Sequence, residues 1–192
     1  MSIATRQENL REVLQDTDPT VRAAAAEALE KLEALGDLKQ LLQALAGDDR
    51  GRKVQALFSL EKVEAPEVIG ALVKALQDED ADVRATAVQV IGHKRHPKTL
   101  APLAKLLKDP HPAVRVYVIE ALGAFADPRL VPYLTAALRS RDIALVTAAV
   151  KALGAIGAAS AESSLLPLLK HPDHRVRLAT ATALGNLGVR SE

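Results

Sequence analysis

The sequence predicts an all-α fold, an α-α superhelix built as a solenoid of six helix pairs with 31 residues in each. Three observations carry that expectation. Leucine returns at a fixed step, with Leu10, Leu41, Leu72, Leu103, Leu134 and Leu165 in one column and Leu14, Leu45, Leu76, Leu107, Leu138 and Leu169 in a second. Leu29, Leu60, Ile91, Leu122, Leu153 and Leu184 form a third column at the same step. The chain also holds two Phe, two Tyr and no Trp, so Leu, Ala and Val must fill the interior, which suits closely packed helices in thin layers. Self-similarity at such a period marks a stacked-repeat architecture, because one pair cannot bury its apolar face alone. The six copies run from about residue 4 to residue 188 without insertion or deletion, and 1–192 reads as a single solenoid domain.

Each copy contains two helical patterns. In the first, the paired Leu columns lie four apart and share one face. In the second, apolar residues recur at spacings of three and four, as in Val83, Ala87, Val90 and Ile91, giving one buried stripe. About twelve helices follow: 4–15 and 19–34, 37–46 and 50–63, 66–77 and 81–94, 97–108 and 112–125, 128–139 and 143–156, and 160–170 and 174–188. Pro66, Pro97 and Pro128 share the register that opens a first helix, where a fixed φ and a missing N–H fit the first turn. Pro102, Pro132 and Pro167 fall inside first helices and are expected to bend them. The turn between the two helices is rich in Asp and Pro, and Asp18, Asp49, Asp80, Asp142 and Asp173 stand where a second helix needs its N-cap. Gly92, Gly123, Gly154 and Gly185 share a mid-helix register. Glycine there costs about 1 kcal/mol against Ala, so its recurrence implies a close helix crossing. Glu30 and Glu61 hold that register in the first two copies, which must pack differently.

DEDADVRATAVQVIG (78–92), DPHPAVRVYVIEALG (109–123) and HPDHRVRLATATALG (171–185) share a D-x-D-x-x-V-R-x-x-A-x-x-A-L-G pattern. It resembles the HEAT-like repeats named after phycobilin lyase subunits, and the resemblance covers nearly the whole chain. Arg52-Lys53 and Leu145-Val146 replace the Val-Arg pair in the second and fifth copies. The resemblance implies an armadillo-type fold with the second helices lining the concave side. Bilin lyase subunits, deoxyhypusine hydroxylase, alkylpurine DNA glycosylases and scaffold proteins all share it, so it implies no single function.

There is no cysteine, which removes disulfides, thiolate metal sites and a thiol nucleophile. Charged residues interrupt the N-terminus too early for a signal peptide, and no apolar run reaches the roughly 18 residues of a membrane span. A soluble, cytoplasmic protein is expected. No glycine-rich phosphate loop and no nucleophile–base set stands out, so neither catalytic residues nor a cofactor are assigned. His93 with His96, and His171 with His174, are spaced three apart, but a metal needs further ligands. The hydroxylases of the resembled family use paired His-Glu motifs, and the chain contains no His-Glu dipeptide.

Arg22, Lys53, Arg84, Arg115 and Arg177 form a basic column. It reads as a structural ladder, each member paired either with the Asp four residues earlier, for which Asp18, Asp49, Asp80 and Asp173 are placed, or with an Asp of the neighbouring repeat, in preference to a row of phosphate ligands. Two outward columns remain on the second helices: Ala24, Gln55, Thr86, Tyr117, Ala148 and Ala179, then Glu27, Phe58, Gln89, Glu120, Lys151 and Thr182. Phe58 and Tyr117 are aromatics at positions the core does not require. With Gln55, Gln89, Glu120 and Lys151 they make the expected partner-binding face, suited to a helix or an extended segment of another protein. Phe125 and Tyr133 are assigned to packing.

The leading functional expectation is a non-catalytic scaffold for protein–protein interaction on the concave face. Residues 1–96 hold 13 Lys/Arg against 17 Asp/Glu, a net of −4, and residues 97–192 hold 12 against 7, a net of +5. Nucleic-acid binding through Lys98, Lys105, Lys108, Arg129, Arg139 and Arg141 is therefore the second reading. An enzyme subunit of the bilin lyase or metal hydroxylase kind is the third. A monomer, or weak self-association through solenoid ends with Leu178 and Leu187 partly uncovered, completes the expectations.

Overall fold

The computed structural model describes residues 3–188. Twelve α-helices and no strand occur among them: α1 (Ile3–Val13), α2 (Pro19–Gly36), α3 (Leu38–Ala46), α4 (Arg50–Glu61), α5 (Pro66–Ala75), α6 (Ala81–Lys94), α7 (Leu100–Lys105), α8 (Pro112–Ala124), α9 (Val131–Ala137), α10 (Ile143–Ile156), α11 (Glu162–Leu165) and α12 (His174–Asn186). The odd-numbered helices are the first of each pair and the even-numbered the second.

The first helices of the last three pairs are short α segments flanked by 3₁₀ turns, Pro97–Thr99 and Leu106–Lys108 around α7, Pro128–Leu130 before α9, and Ala159–Ala161 and Leu166–Lys170 around α11. Pro102 and Pro132 lie inside or at the start of these α segments and Pro167 inside the last 3₁₀ turn. A proline there removes the amide that would continue the α ladder. The second helices stay α throughout. Asp49, Asp80, Asp142 and Asp173 cap four of them by accepting backbone N–H groups of the first turn, and the Asp18 carboxylate accepts from the Thr20 amide at 2.7 Å. In the last four pairs the chain leaves the second helix through the left-handed region, at Arg95, Ala126, Gly157 and Gly188.

The core is continuous from Leu57 to Ala183 and consists of Leu, Val, Ile and Ala. Leu72, Leu103, Leu134 and Leu165 are fully buried in it. Leu10 and Leu41, in the same column, are only half-buried. The cause lies in the stacking, since α2 barely meets α4, whereas α4, α6, α8, α10 and α12 each pack along the next. Leu169 is 40% exposed at the last pair, where no further pair covers it among the described residues. Tyr133 departs from its expected packing role. It is 57% exposed, because its register on α9 faces solvent.

Glycine explains the tight stacking. A Cβ built on Gly92 would lie 2.9 Å from the Ala121 Cβ, one on Gly123 2.8 Å from the Ala152 Cβ, and one on Gly154 2.7 Å from the Ala183 Cα. Each second helix from α6 to α10 thus receives an alanine of the next. Consecutive first helices meet at a few residues only. Layers that are close on one side and apart on the other bend towards the close side, so the second helices line the inner, concave face. At the two earlier joints the glycine register is occupied by Glu30, which pairs with Lys62, and by Glu61, whose carboxylate meets His93 Nδ1 at 3.0 Å.

Gly154→Ala and Gly185→Ala therefore have opposite expected effects. Both gain up to about 1 kcal/mol of helix propensity, but at residue 154 the new methyl overpacks against the Ala183 backbone, at about 1–3 kcal/mol. Residue 185 has nothing within 4 Å of a built Cβ. Thermal unfolding followed by circular dichroism should show a lower midpoint for the first and a higher one for the second. A rise in both would show that α10 and α12 can separate without loss.

Candidate interaction face

Two edges of the solenoid carry the residues singled out from the sequence. At the turn edge, the basic column acts structurally. Arg22, Arg84, Arg115 and Arg177 each donate Nη1 to two carbonyls of their own turn, those of residues 16 and 17, 78 and 79, 109 and 110, and 171 and 172. Two of the ladder residues also reach the next repeat. Lys53 Nζ donates to Asp78 Oδ2 at 2.8 Å, and Arg84 donates Nε and Nη2 to the Asp109 carboxylate at 2.8 and 3.0 Å.

Of the two expected pairings, the one with an Asp of the neighbouring repeat forms, and the one with the Asp four residues earlier does not. Asp18, Asp49, Asp80 and Asp173 spend their oxygens on helix caps, which turns them away from the preceding repeat. The pairing acids stand two positions earlier, in the column of Asp16, Gly47, Asp78, Asp109, Ser140 and His171. This column also ties the turn. Asp16, Asp78, Asp109, Ser140 and His171 each accept the amide two residues on, at 2.8–3.1 Å. By the same step Arg22 faces Gly47 and Arg115 faces Ser140, neither of them acidic, so the ion pair forms only at two joints. Asp109 is buried, and burial works to raise its carboxyl, but the Arg84 guanidinium and the His111 amide outweigh burial and hold it below the ordinary aspartate range. Asp78 is shifted the same way, burial being offset by Lys53 and the Asp80 amide.

The histidines are dispersed by this geometry. His93 turns to Glu61, and His96 caps the turn after α6 by accepting the Lys98 amide at 3.3 Å. His171 accepts the Asp173 amide. Among the described residues no three His, Asp or Glu side chains come together in a way that could hold a metal ion.

The inner edge is different. In its first half the outward side chains satisfy one another: Lys31 with Glu27 at 2.7 Å, Lys62 with Glu30, His93 with Glu61, and Arg50 with Asp82 at 2.8 Å. Phe58 stands among these pairs, 49% exposed, with Gln55 exposed one turn before it on α4. In the middle, Gln89, Tyr117 and Glu120 line one cavity of about 160 Å³ between α6 and α8. Tyr117 and Gln89 are half-buried there, and Tyr117 packs against the core, so its ring belongs partly to the interior. In the last half, Glu120 and Lys151 are exposed and carry no ion pair among the described residues. Ala113, Ala124, Ala144 and Ala155 leave this half smooth.

An apolar cleft of the inner edge lies between α10 and α12. It has a volume of about 590 Å³ and is floored by Gly154, Ala155, Ala179 and Ala183, flanked by Leu178, and rimmed by Lys151. Leu178 is 69% exposed. Sequence periodicity pointed to Leu178 only as an uncovered terminal residue, since a leucine at helical spacing reads as core. Its position between Arg175 and Thr182, three and four residues away on the outward stripe, is the signal that places it on the face. Leu187 is half-buried. Lys98, Lys105, Lys108, Arg139 and Arg141 are exposed on first helices and turns, away from this cleft, and Arg129 is bound to Asp127 at 2.6 Å. No helix of the described residues is long and apolar enough to cross a membrane.

The profile of the HEAT repeats matches residues 4–61, 69–149 and 135–192. Among curated proteins no sequence match is found. Several solved structures share the fold. A designed armadillo repeat protein in complex with the peptide (KR)4 is 20% identical, with a TM-score of 0.63 over 97% of this chain and 99% of that one. The complex of CpcE and CpcF of phycocyanin lyase from Nostoc sp. PCC7120 is 24% identical, with a TM-score of 0.55 over 95% of this chain and 65% of that one. Human deoxyhypusine hydroxylase is 24% identical, with a TM-score of 0.54 over 95% of this chain and 74% of that one. At such identities the likeness is one of fold.

The buried ladder pair makes a stability prediction. Arg84→Met leaves Asp109 buried and unpaired and is expected to cost about 3 kcal/mol at neutral pH. The folded Asp109 carboxyl titrates lower than an ordinary aspartate, so the pair's contribution is complete above the ordinary value and is lost as pH falls through the depressed folded one. Urea unfolding at neutral pH and again in acid should show the gap between wild type and variant closing. An unchanged gap would assign the loss to packing of the arginine stem instead.

Proposed function

The chain belongs to the HEAT-repeat family, and on that footing we propose that it is a non-catalytic scaffold that binds a segment of another protein along its inner, concave face. The observation that carries this reading is the change along that face, from outward charges already paired with one another to an unpaired, alanine-smoothed surface ending in the apolar cleft between α10 and α12. A surface whose polar groups are satisfied internally has little to offer a partner, whereas an exposed apolar trough gains by being covered. The anchors are Glu120 and Lys151 in the bare half, with Tyr117 and Gln89 at the central cavity; Phe58, with Gln55 beside it, is an aromatic that the paired charges of the first half leave exposed. The fold supports the reading as well, since the designed armadillo protein holds a peptide and the phycocyanin lyase structure is an assembly of two chains. Location in the cytoplasm fits a chain without cysteine.

Affinity capture from native extract tests this. Wild type should retain a protein that a Phe58→Ala, Glu120→Ala, Lys151→Ala triple variant loses by at least tenfold. All three side chains are exposed, so circular dichroism should show an unchanged fold. Equal retention by both removes the inner face from the interaction. Retention of a pigment or a metal without a protein would favour an enzyme subunit.

A further inference from the structure

The cleft between α10 and α12 has the length, floor and charge of a helix-binding trough. Arg175, Leu178, Thr182 and Asn186 line it along α12, at steps of three and four residues. They therefore lie in one row spanning about 16 Å at the 1.5 Å rise of an α-helix, the length of a three-turn helix. The opposite wall comes from Thr147 and Lys151 on α10, one turn apart. Between the walls the floor is Gly154, Ala155, Ala179 and Ala183, which have little or no side chain to hold a third backbone away. Leu178 rises from it 69% exposed. A floor of small residues beside one projecting leucine is what a ridge of side chains on another helix needs in order to seat.

The charge of the rim selects the partner. Among the described residues no carboxylate lines the cleft, while Lys151, His174 and Arg175 do. Arg175 is held by Asp173, with Nε and Nη2 at 3.1 and 2.7 Å from its two oxygens. Lys151 and His174 have no hydrogen-bonded partner among the described residues, and both are exposed. Among the described residues the nearby carboxylates in these registers are this committed Asp173, the N-cap Asp142, and Glu120 one repeat away in the register of Lys151.

We propose that this trough receives an acidic amphipathic helix of the partner protein. Its apolar stripe lies on Leu178 and the alanine floor, and its carboxylates face Lys151 and the α12 N-terminal rim. The proposal rests on the scaffold reading and specifies its occupant. The helix-in-groove mode reads anchors at i, i+3 or i+4 and i+7, and opposite charge at the rim sets orientation and excludes basic helices.

Two synthetic probes test it, a three-turn Leu/Ala peptide with Leu at i, i+3 and i+7 and Glu elsewhere, and the same peptide with Lys in place of Glu. They are titrated into the isotope-labelled full chain and followed by amide NMR. The Glu peptide should shift Thr147, Lys151, Leu178 and Thr182, and the Lys peptide should leave them in place. Leu178→Ala should weaken the Glu peptide at least fivefold without moving the thermal midpoint, and Lys151→Glu should reverse the preference between the probes. Equal binding of the two, or binding of neither, overturns the proposal. Shifts confined to α4 around Phe58 also overturn it but leave the scaffold reading standing, which only the capture experiment can remove.

Discussion

The contact on which the rest of this molecule depends is the crossing of each second helix over the next, glycine under alanine, at Gly92 on Ala121, Gly123 on Ala152 and Gly154 on Ala183. Removing the side chain from one helix at the crossing lets two backbones approach closer than any larger pair would allow. The approach is confined to the second-helix side, because the first helices of neighbouring pairs meet only at a few residues. Curvature follows from that inequality, and so does the division of surfaces: a compressed inner face made of second helices and an outer face of short, proline-interrupted first helices. The Arg84–Asp109 pair spans one of these joints, but the equivalent Lys53–Asp78 pair forms where Glu61 stands in the glycine register, so the turn edge is tied independently of the glycine.

The two joints without glycine show the alternative. Where Glu30 and Glu61 occupy the register, the next repeat answers with Lys62 and His93, and a larger polar pair takes the place of the methyl-on-backbone contact. These joints differ in tightness. The first leaves α2 barely touching α4, while the second still packs α4 on α6. Exposed pairs of this kind contribute little stability, so their effect lies mainly in what they occupy. They fill the inner face of the first half with charges that have no remaining need of a partner. The later joints, built from glycine and alanine, leave the inner face bare, and the same Gly154 and Ala183 that make the tightest crossing also floor the α10–α12 cleft.

The period, the helix pairing, the proline register and the capping aspartates were legible in the sequence because each depends on residues a few positions apart in one helix or turn. The glycine column was legible as a close crossing for a different reason: an unfavourable residue recurring in one register needs a tertiary cause. An inter-repeat acid was legible as one of two pairings but not which one, because the pair runs between residues 25 apart, across a joint whose geometry no local spacing reports. The conspicuous Asp column lay nearby and belonged to the caps, while the true column is diluted by Gly47, Ser140 and His171. Phe58 was legible as an exposed aromatic. Tyr117 was only half so, since the tight joint beneath α8 draws its ring towards the core. Leu178 carries the opposite lesson. Its residue type argues for burial and its register for exposure, and in a repeat array register decides.

A solenoid of this construction also has a thermodynamic reason to bind through the half that it leaves bare. The crossings from α6 to α12 lock consecutive helices at the closest distance their backbones permit, and the buried ladder pair ties the turn edge between the third and fourth repeats. The walls of the cleft are therefore fixed before any partner arrives. Association costs free energy in ordering whatever is mobile at the interface. Here the small residues of the floor have no rotamers to lose, and Leu178 is the one large apolar side chain to be immobilised among the described residues that line the cleft. The first half of the inner face offers the reverse: long Lys and Glu side chains that would have to surrender their existing pairs before contacting a newcomer. The same substitution, glutamate for glycine at the helix crossing, thus separates a half of the array that is satisfied with itself from a half preorganised for a partner.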